Sequence, residues 1–337
     1  MRLIAAAVLR LAPVLVAISL LVFSIVHLIP GDPAVIAAGL EASPATVDRI
    51  RRDLGLDLPL VVQYGRFVAH AARGDLGISI RTGVPVGREI FDRLPHTMVL
   101  AAGGVALAVG LGLVVGVGAA LSRRVVVDRV LTAGSLLAAS TPSYWLALML
   151  MLVFSVVLGW LPAIGVGTPA HYVMPCLALG LQSAGAVARM TRASVRDVRG
   201  QDFLRAARAK GVAEWRVLVA HGLRNALLPV LSLVGLRIGG LLAGTVLVES
   251  VFAVPGVGRM MADAVVARDF PMVQGGVLVV ATMVVVVNAL TDVVAGALDP
   301  RVRGCGPGST SFAATCWRAP PSRCSSWWPR PRRSVRG

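Results

Sequence analysis

The sequence predicts an all-α, polytopic membrane protein with six transmembrane helices. The chain of 337 residues is 56% hydrophobic, has a mean hydropathy of +0.78 and contains only 15% charged residues, which is too apolar for a soluble domain of this length. Six apolar runs each come close to the roughly 20 residues that a helix needs to cross a bilayer. The arginines are concentrated in alternate connections between these runs, as expected where positive loops stay in the cytoplasm.

The first apolar run, residues 9–29, predicts an anchor helix at the N-terminus. Arg2 and Arg10 precede it, as basic residues precede the apolar part of a signal peptide. However, the run is longer than such a peptide requires, and no small-residue cleavage pattern follows it. We therefore interpret residues 1–29 as an uncleaved N-terminal anchor helix.

Residues 30–95 form an insert on the external (periplasmic) side, long enough to contain structure of its own. Ser43 is suited to cap a helix whose first residue is Pro44. Pro59 is suited to open a second helix, in which apolar residues recur at helical spacing. Two short helices on the outer face are predicted.

Five further apolar runs complete the predicted membrane domain, which occupies residues 96–303. They lie at residues 98–121, 130–158, 174–190, 230–248 and 276–298. The run at 130–158 is longer than one span requires and contains Pro142, which cannot donate a backbone hydrogen bond inside a helix. We expect a kink at Pro142 or a helix start near Thr141.

The distribution of cations predicts that both termini lie in the cytoplasm. Residues 189–224 carry nine cations and three acids, whereas residues 30–95 balance eight arginines with eight acids and residues 160–172 carry none of either. Because positive loops stay on the cytoplasmic side, residues 189–224 are predicted to be cytoplasmic as well. We attribute the net charge of +16 to this orientation signal and not to nucleic-acid binding.

Residues 304–337 differ in composition from the rest of the chain. They contain three of the four cysteines, three of the six tryptophans and no acidic residue. Without periodicity they are predicted to be disordered. Lys210 is the only lysine among 33 cations, which indicates a GC-rich coding sequence, and an out-of-frame read of such a gene is rich in Arg, Pro, Ser, Cys and Trp. We hypothesise that this tail is out of frame or functionally idle.

No signature of an enzyme or of a metal site occurs in the sequence. There is no GxxxxGK[ST] loop for nucleotide binding, no HExxH or GxSxG motif, and the five histidines and four cysteines are scattered. We therefore expect no catalytic residue, no metal site and no cofactor in this chain. If ATP drives the protein, ATP and Mg are bound by a partner subunit.

The segment 202–229, which reads DFLRAARAKGVAEWRVLVAHGLRNALLP, is polar and basic between two apolar runs. At its centre, residues 206–211 alternate small residues with cations and end on a glycine. This pattern is typical of an exposed helix closed by a left-handed cap. Small side chains allow a partner to approach closely, so the segment is predicted to be a docking surface, although a loop that is basic only to fix topology is an equal alternative on composition alone.

Short motifs along the chain occur in an order that resembles one family. They are LIPGDP (28–33), GDLGIS (74–79), LGWLP (158–162), ESVFAVPGVG (249–258), RDFPMVQG (268–275) and LDPRVR (298–303). Together with AARAKG at 206–211 and NALLP at 225–229, they resemble the dipeptide, oligopeptide and nickel permease family of ATP-binding cassette (ABC) importers. Arg205 stands where many importers have glutamate, and this departure resembles the peptide and nickel branch.

The resemblance implies a type I (EAA-loop) permease fold, with a five-helix core at 96–303 and a cytoplasmic coupling loop at about 193–228. The implied ATPase-coupling residues are Arg205, Ala206, Ala207, Arg208, Ala209, Lys210 and Gly211. The implied partners are a homologous second permease, two ABC ATPase subunits or domains, an external solute-binding protein, membrane lipid and a peptide substrate. The implied location is the inner (plasma) membrane.

Three polar residues in or beside the apolar runs are candidates for the translocation pathway. Arg237 lies near the middle of its run, where it either lines the pathway and attracts a peptide carboxylate or packs against backbone carbonyls or Asp292. Glu249 is expected to be an outer-gate or interfacial group. Asn288 is expected to form interhelical hydrogen bonds.

Two other functions compete with peptide import. A nickel or nickel-chelate permease of the same family would favour histidines or methionines clustered along the pathway. A stand-alone secondary transporter would favour inverted repeats and several intramembrane acids. Charges in the middle of the spans are nearly limited to Arg237 and Asp292, which favours the ABC importer.

Overall fold

A computed structural model of the chain describes residues 13–24, 32–39, 42–53, 55–202, 204, 209 and 222–298. Within these ranges every regular element is a helix, apart from an isolated antiparallel bridge between Ile78 and Pro85. The chain divides into two compact units, Met1–Val293 and Val294–Gly337. Only the helical residues 294–298 of the second unit are described, so the predicted disordered tail at residues 304–337 lies outside the described ranges.

Four short helices come first. They are α1 (Pro13–Ser24), α2 (Pro33–Ala38), α3 (Pro44–Asp53) and α4 (Leu60–Ala72). The two helices predicted in the insert, α3 and α4, are confirmed, and Ser43 Oγ accepts a hydrogen bond from Thr46 N (3.3 Å) as a cap should. On α4, the rings of Tyr64 and Phe67 contact Phe23 of α1, with ring centroids 5.5 and 6.2 Å apart. The insert is therefore tied to the N-terminal helix.

The remaining helices form the main bundle. They are α5 (Val86–Leu121), α6 (Val125–Ser140), α7 (Ser143–Leu150, continued by a π-helix at Met151–Val157), α8 (Ala170–Arg199), α9 (Arg224–Val251), α10 (Val257–Val266) and α11 (Phe270–Leu298). The helix α5 begins well before the predicted Met98, inside the predicted insert. An ion pair between Arg93 and Glu89 (3.2 Å) one turn apart supports this polar extension, which an apolar run cannot reveal.

The number of membrane spans is smaller than predicted within the described residues. Four helices are long and apolar enough to cross a membrane, namely α5, α8 and the parts of α9 and α11 at Ala226–Val251 and Phe270–Thr291, and the bent pair α6–α7 adds a fifth if it is one span. Six spans are therefore not confirmed. The helix α1 covers residues 13–24 of the predicted anchor, and residues 1–12 and 25–29 lie outside the described ranges.

The break predicted at Pro142 is confirmed. The helix α6 ends at Ser140, α7 begins at Ser143, and the two arms are bent by 104°. Because the proline ring disfavours helical backbone at the preceding residue, Thr141 adopts an extended conformation (φ −80°, ψ 125°). Only residues 141 and 142 separate the two helices, so α7 begins directly after the bend.

The helices α5 and α8 share the most extensive contact, and small residues make it possible. A Cβ added at Gly112 would lie 2.6 Å from Val187 Cβ, and one at Gly180 would lie 2.8 Å from Leu107 Cβ. On the other side of α8, a Cβ at Gly185 would lie 2.2 Å from the Ser135 carbonyl oxygen of α6. These backbones approach so closely that any larger residue would force the helices apart.

Candidate functional site

A polar cavity of about 110 Å³ lies among α7, α8 and α9. Its polar lining consists of Ser143, Gln182, Ser183 and Arg237, and its other lining residues are Leu179, Gly240, Leu241 and Gly244. The sequence singles out only Arg237 of this set. Gln182 carries a local signal, since it is an amide inside an apolar run, whereas Ser143 and Ser183 carry none.

Arg237 lies near the middle of α9 and its side chain is exposed in the isolated chain. Among the side chains that the structure describes, no ion pair to Arg237 is found. The side chain of Asp292, the alternative partner considered from the sequence, lies outside the described set. Arg237 therefore lines a cavity of the isolated chain, and its place in the translocation pathway stays a prediction.

Glu249, at the end of α9, is fully buried and holds the N-terminus of α10. Thr97 Oγ1 of α5 donates a hydrogen bond to Glu249 Oε1 (2.7 Å), and Arg259 N donates to Glu249 Oε2 (2.9 Å). The same threonine hydroxyl accepts a hydrogen bond from Val257 N (2.9 Å). A Cβ at Gly256 would lie 2.2 Å from the Glu249 carboxyl carbon, so the carboxylate fills the space that the glycine leaves.

Asp269, which is not among the residues singled out from the sequence, forms a second buried junction. Its carboxylate accepts hydrogen bonds from Ser79 Oγ, from Ile80 N (3.2 Å) and, at the start of α11, from Met272 N (3.4 Å). The motifs GDLGIS and RDFPMVQG therefore bind each other. A cap signal is present, since aspartate directly before a helix start favours capping, but the link to Ser79 is not visible from local sequence.

The loop that contains Ser79 and Ile80 is itself stabilised by hydrogen bonds. Asp75 accepts from Gly77 N (3.0 Å) and bonds His70 Nδ1 (2.8 Å). The hydrogen bond from His70 and that from Gly77 lower the pKa of the Asp75 carboxyl below its ordinary value. Gly77 has a φ of +85°, a backbone conformation that glycine adopts without strain.

The polar residues predicted for the pathway do not share one site. Arg237 lines the cavity, Glu249 lies in the junction with α10, and Asn288 is exposed on α11. Neither Glu249 nor Asn288 is among the residues that line the cavity.

Most of the predicted coupling residues lie outside the described residues. Ala209 is helical and exposed, whereas Arg205, Ala206, Ala207, Arg208, Lys210 and Gly211 are not described. The helix α8 extends to Arg199, so the first residues of the coupling loop predicted at about 193–228 are helical. The last turns of α8 are clamped to α6. Arg192 binds both carboxylate oxygens of Asp128 (2.7 and 2.8 Å), and Arg196 binds the second of them (2.9 Å). The predicted coupling loop is thus attached to a braced helix end.

In the part of the chain that the structure describes, no group of three or more His, Cys, Asp or Glu side chains is arranged to hold a metal ion. The buried Cys176 lies alone on α8 against α5, where its Sγ would be 2.4 Å from a Cβ at Gly103.

Long apolar helices in the described part of the chain, and a polar cavity lined by α7, α8 and α9, are features expected of an integral-membrane permease. The chain belongs to the family of binding-protein-dependent transport system inner-membrane components, whose sequence profile matches residues 112–304, while the N-terminal profile of the same family matches residues 1–101. The family resemblance of the motifs is therefore confirmed: the protein is an ABC importer permease of the inner membrane.

Similar proteins of nearly equal length are known. The chain is 44% identical over 295 residues to the glutathione transport system permease protein GsiC of Pectobacterium atrosepticum, and 41% identical over the same length to that of Escherichia coli strain K12. Each alignment covers 88% of this chain and 96% of the relative. Among solved structures, the inward-facing MetNI methionine ABC transporter matches with a TM-score of 0.53 at 18% identity, covering 63% of this chain and 96% of that chain. This last likeness concerns the fold alone.

Proposed function

We propose that the chain is one permease subunit of an ATP-driven importer for dipeptides or oligopeptides and forms half of the translocation pathway. The observation that carries this proposal is the near full-length identity of 44% to a permease named for glutathione transport. Glutathione is itself a small peptide, so the relatives and the motif resemblance point to the same class of substrate.

In this proposal the chain performs no covalent chemistry. A homologous second permease completes the pathway, and two ABC ATPase subunits or domains bind ATP and Mg. An external solute-binding protein delivers the peptide. The excess of cations in residues 189–224 supports a cytoplasmic position for that segment and for both termini.

The segment Arg205–Gly211 links the pathway to the ATPases in this proposal. Its alanines permit close contact with a groove, its cations suit acidic groups on the partner, and its glycine suits a change of chain direction. When the ATPases close on ATP, the displacement reaches the helices through this joint and shifts the bundle between inward-open and outward-open states. The brace between Asp128 and α8 supports such a transfer, because a loosely held helix end would absorb the displacement.

Gentle purification from the native membrane tests the assembly. The expected result is recovery of this chain with a homologous permease and ABC ATPases, and binding of di- or oligopeptides by the accompanying solute-binding protein. If the binding protein binds nickel or a nickel chelate but no peptide, the substrate is nickel and not a peptide. Recovery of the chain without any ATPase would favour a secondary transporter and overturn the proposal.

A further inference from the structure

Residues of three helices line the cavity beside Arg237, and one of these helices, α7, begins at the break after α6. Arg237 comes from the middle of α9, Gln182 and Ser183 come from α8, and Ser143 is the first residue of α7 after the 104° bend. A cation at the centre of a membrane helix costs about 2.5–3.5 kcal/mol on insertion scales. Such a residue is expected to face an aqueous space or a partner charge, and here it faces a cavity.

The lining of this cavity favours a negative ligand. The guanidinium of Arg237 supplies only hydrogen-bond donors, while the amide of Gln182 and the hydroxyls of the two serines are able to donate as well. No Asp or Glu is among the described residues that line the cavity. The charge of the lining is therefore positive and uncompensated by its own members.

The helix break adds to the positive field. The first residues of a helix have free backbone N–H groups and a partial positive charge, and α7 begins at Ser143, which lines the cavity. Discontinuous helices in transporters present their N-terminal ends to anionic substrate groups in this way. The guanidinium and the helix start come from different elements, so they are independent contributions to the same field.

The size of the cavity suits a functional group and not a whole peptide. A volume of about 110 Å³ holds several water molecules, since each needs about 10–15 Å³. A carboxylate with its neighbouring atoms fits such a space, and the rest of a peptide would have to extend beyond it.

We propose that Arg237, Gln182 and Ser143 form a carboxylate-binding station in the translocation pathway, which receives the C-terminal carboxylate of the peptide during transport. The inference rests on the proposed function, since it names the substrate group that the pathway recognises. It makes Arg237 a specificity-determining residue that acts after release from the binding protein.

The test is uptake by the complete transporter, reconstituted with its ATPases and binding protein in proteoliposomes. The probes are glutathione and trialanine, each as the free acid and as the C-terminal amide, at concentrations that saturate the binding protein. Because every variant uses the same binding protein, the preference of that protein cancels when acid-to-amide rate ratios are compared between variants. Arg88→Gln, which removes an exposed arginine of α5 outside the cavity, is the matched control.

Arg237→Gln is expected to lower the acid-to-amide ratio by about tenfold, because a charge-assisted hydrogen bond is lost, whereas Arg88→Gln leaves the ratio unchanged. Gln182→Leu, which keeps the charge, is expected to lower the ratio by about threefold. If Arg237→Gln does not assemble, Gln182→Leu decides the question. An unchanged ratio in an assembled Arg237→Gln, or in Gln182→Leu, overturns the station while peptide import stands. If the unmodified transporter takes up neither glutathione nor trialanine as the free acid, peptide import is refuted and the carboxylate-binding station is refuted as well.

Discussion

At the scale of single residues, Glu249 shows how a buried charge becomes part of the architecture. Its carboxylate is satisfied by Thr97 of α5 and by the Arg259 amide of α10, and its side chain is completely shielded from solvent. A buried acid left without partners would be strongly destabilising. A single side chain therefore connects α5, α9 and α10.

Glu249→Ala is expected to destabilise the protein by several kcal/mol. The substitution leaves the Thr97 hydroxyl and the Arg259 amide without their acceptor, and each unsatisfied buried group costs about 1–3 kcal/mol. Ser250→Ala is the control, because Ser250 is exposed and bonds only the carbonyl of Val246 in its own helix. Thermal unfolding of the purified transporter measures both. Equal melting temperatures for the two variants would show that Glu249 does not hold α10.

The residues of the site differ in how far the sequence reveals them. Arg237 and Glu249 can be singled out from the sequence because a charged residue in or directly beside an apolar run is unusual. Their surroundings cannot, since Thr97 and Glu249 are 152 positions apart and Ser79 and Asp269 are 190 positions apart. No local pattern encodes such distant hydrogen bonds, so the two junctions and the cavity lining become apparent only in the fold.

At the scale of helices, features that depend on a few neighbouring residues are again predicted from the sequence, whereas other features are not. The helices α3 and α4 and the break at Pro142 follow from caps and prolines, which act within a few residues. The polar start of α5 at Val86 is not predicted, because hydropathy detects only the apolar part of a helix.

The contact between α5 and α8 predicts opposite effects for two nearby glycines. Gly112→Ala is expected to cost about 1–3 kcal/mol through overpacking, because the new methyl group would overlap Val187. Gly110→Ala is the matched control, since nothing lies within 4 Å of its Cβ position and alanine favours the helix by about 1 kcal/mol. Unfolding of the two variants in the same detergent gives the comparison. A Gly112→Ala protein as stable as Gly110→Ala would contradict the close approach of these helices.

The coupling segment makes a prediction about transport without a loss of folding. Ala207→Glu and Gly211→Pro are expected to abolish peptide uptake, the first by adding bulk and charge to a contact made by small residues, the second by preventing the chain from turning. Membrane insertion and the yield of the chain should not change. Ala207→Ser, which stays small and neutral, should retain most of the uptake. Normal uptake by either disruptive variant would remove the segment from the coupling path.

At the scale of the whole molecule, the two family profiles match residues 1–101 and 112–304 of the sequence. The helical bundle, the polar cavity and the braced end of α8 lie within these limits. In the proposed function each has a role in a permease that alternates between two states. The segment 304–337 has no such role in this account.

Deletion of residues 304–337 is therefore expected to leave uptake and assembly unchanged. The reason is compositional: the segment lacks acids and helical periodicity and is rich in residues expected of an out-of-frame read. Uptake by cells that carry the truncated or the full chain at equal membrane levels tests this expectation. Loss of transport on truncation, together with an intact mass that matches all 337 residues, would show that the tail is functional.

Peptide import by this permease is best tested by peptide uptake into proteoliposomes that contain this chain, its sister permease, the ATPases and the solute-binding protein. We expect accumulation of di- or oligopeptides that requires ATP hydrolysis and continues when the proton gradient is collapsed. Accumulation that depends on the proton gradient and not on ATP, or uptake of nickel without any peptide, would contradict it.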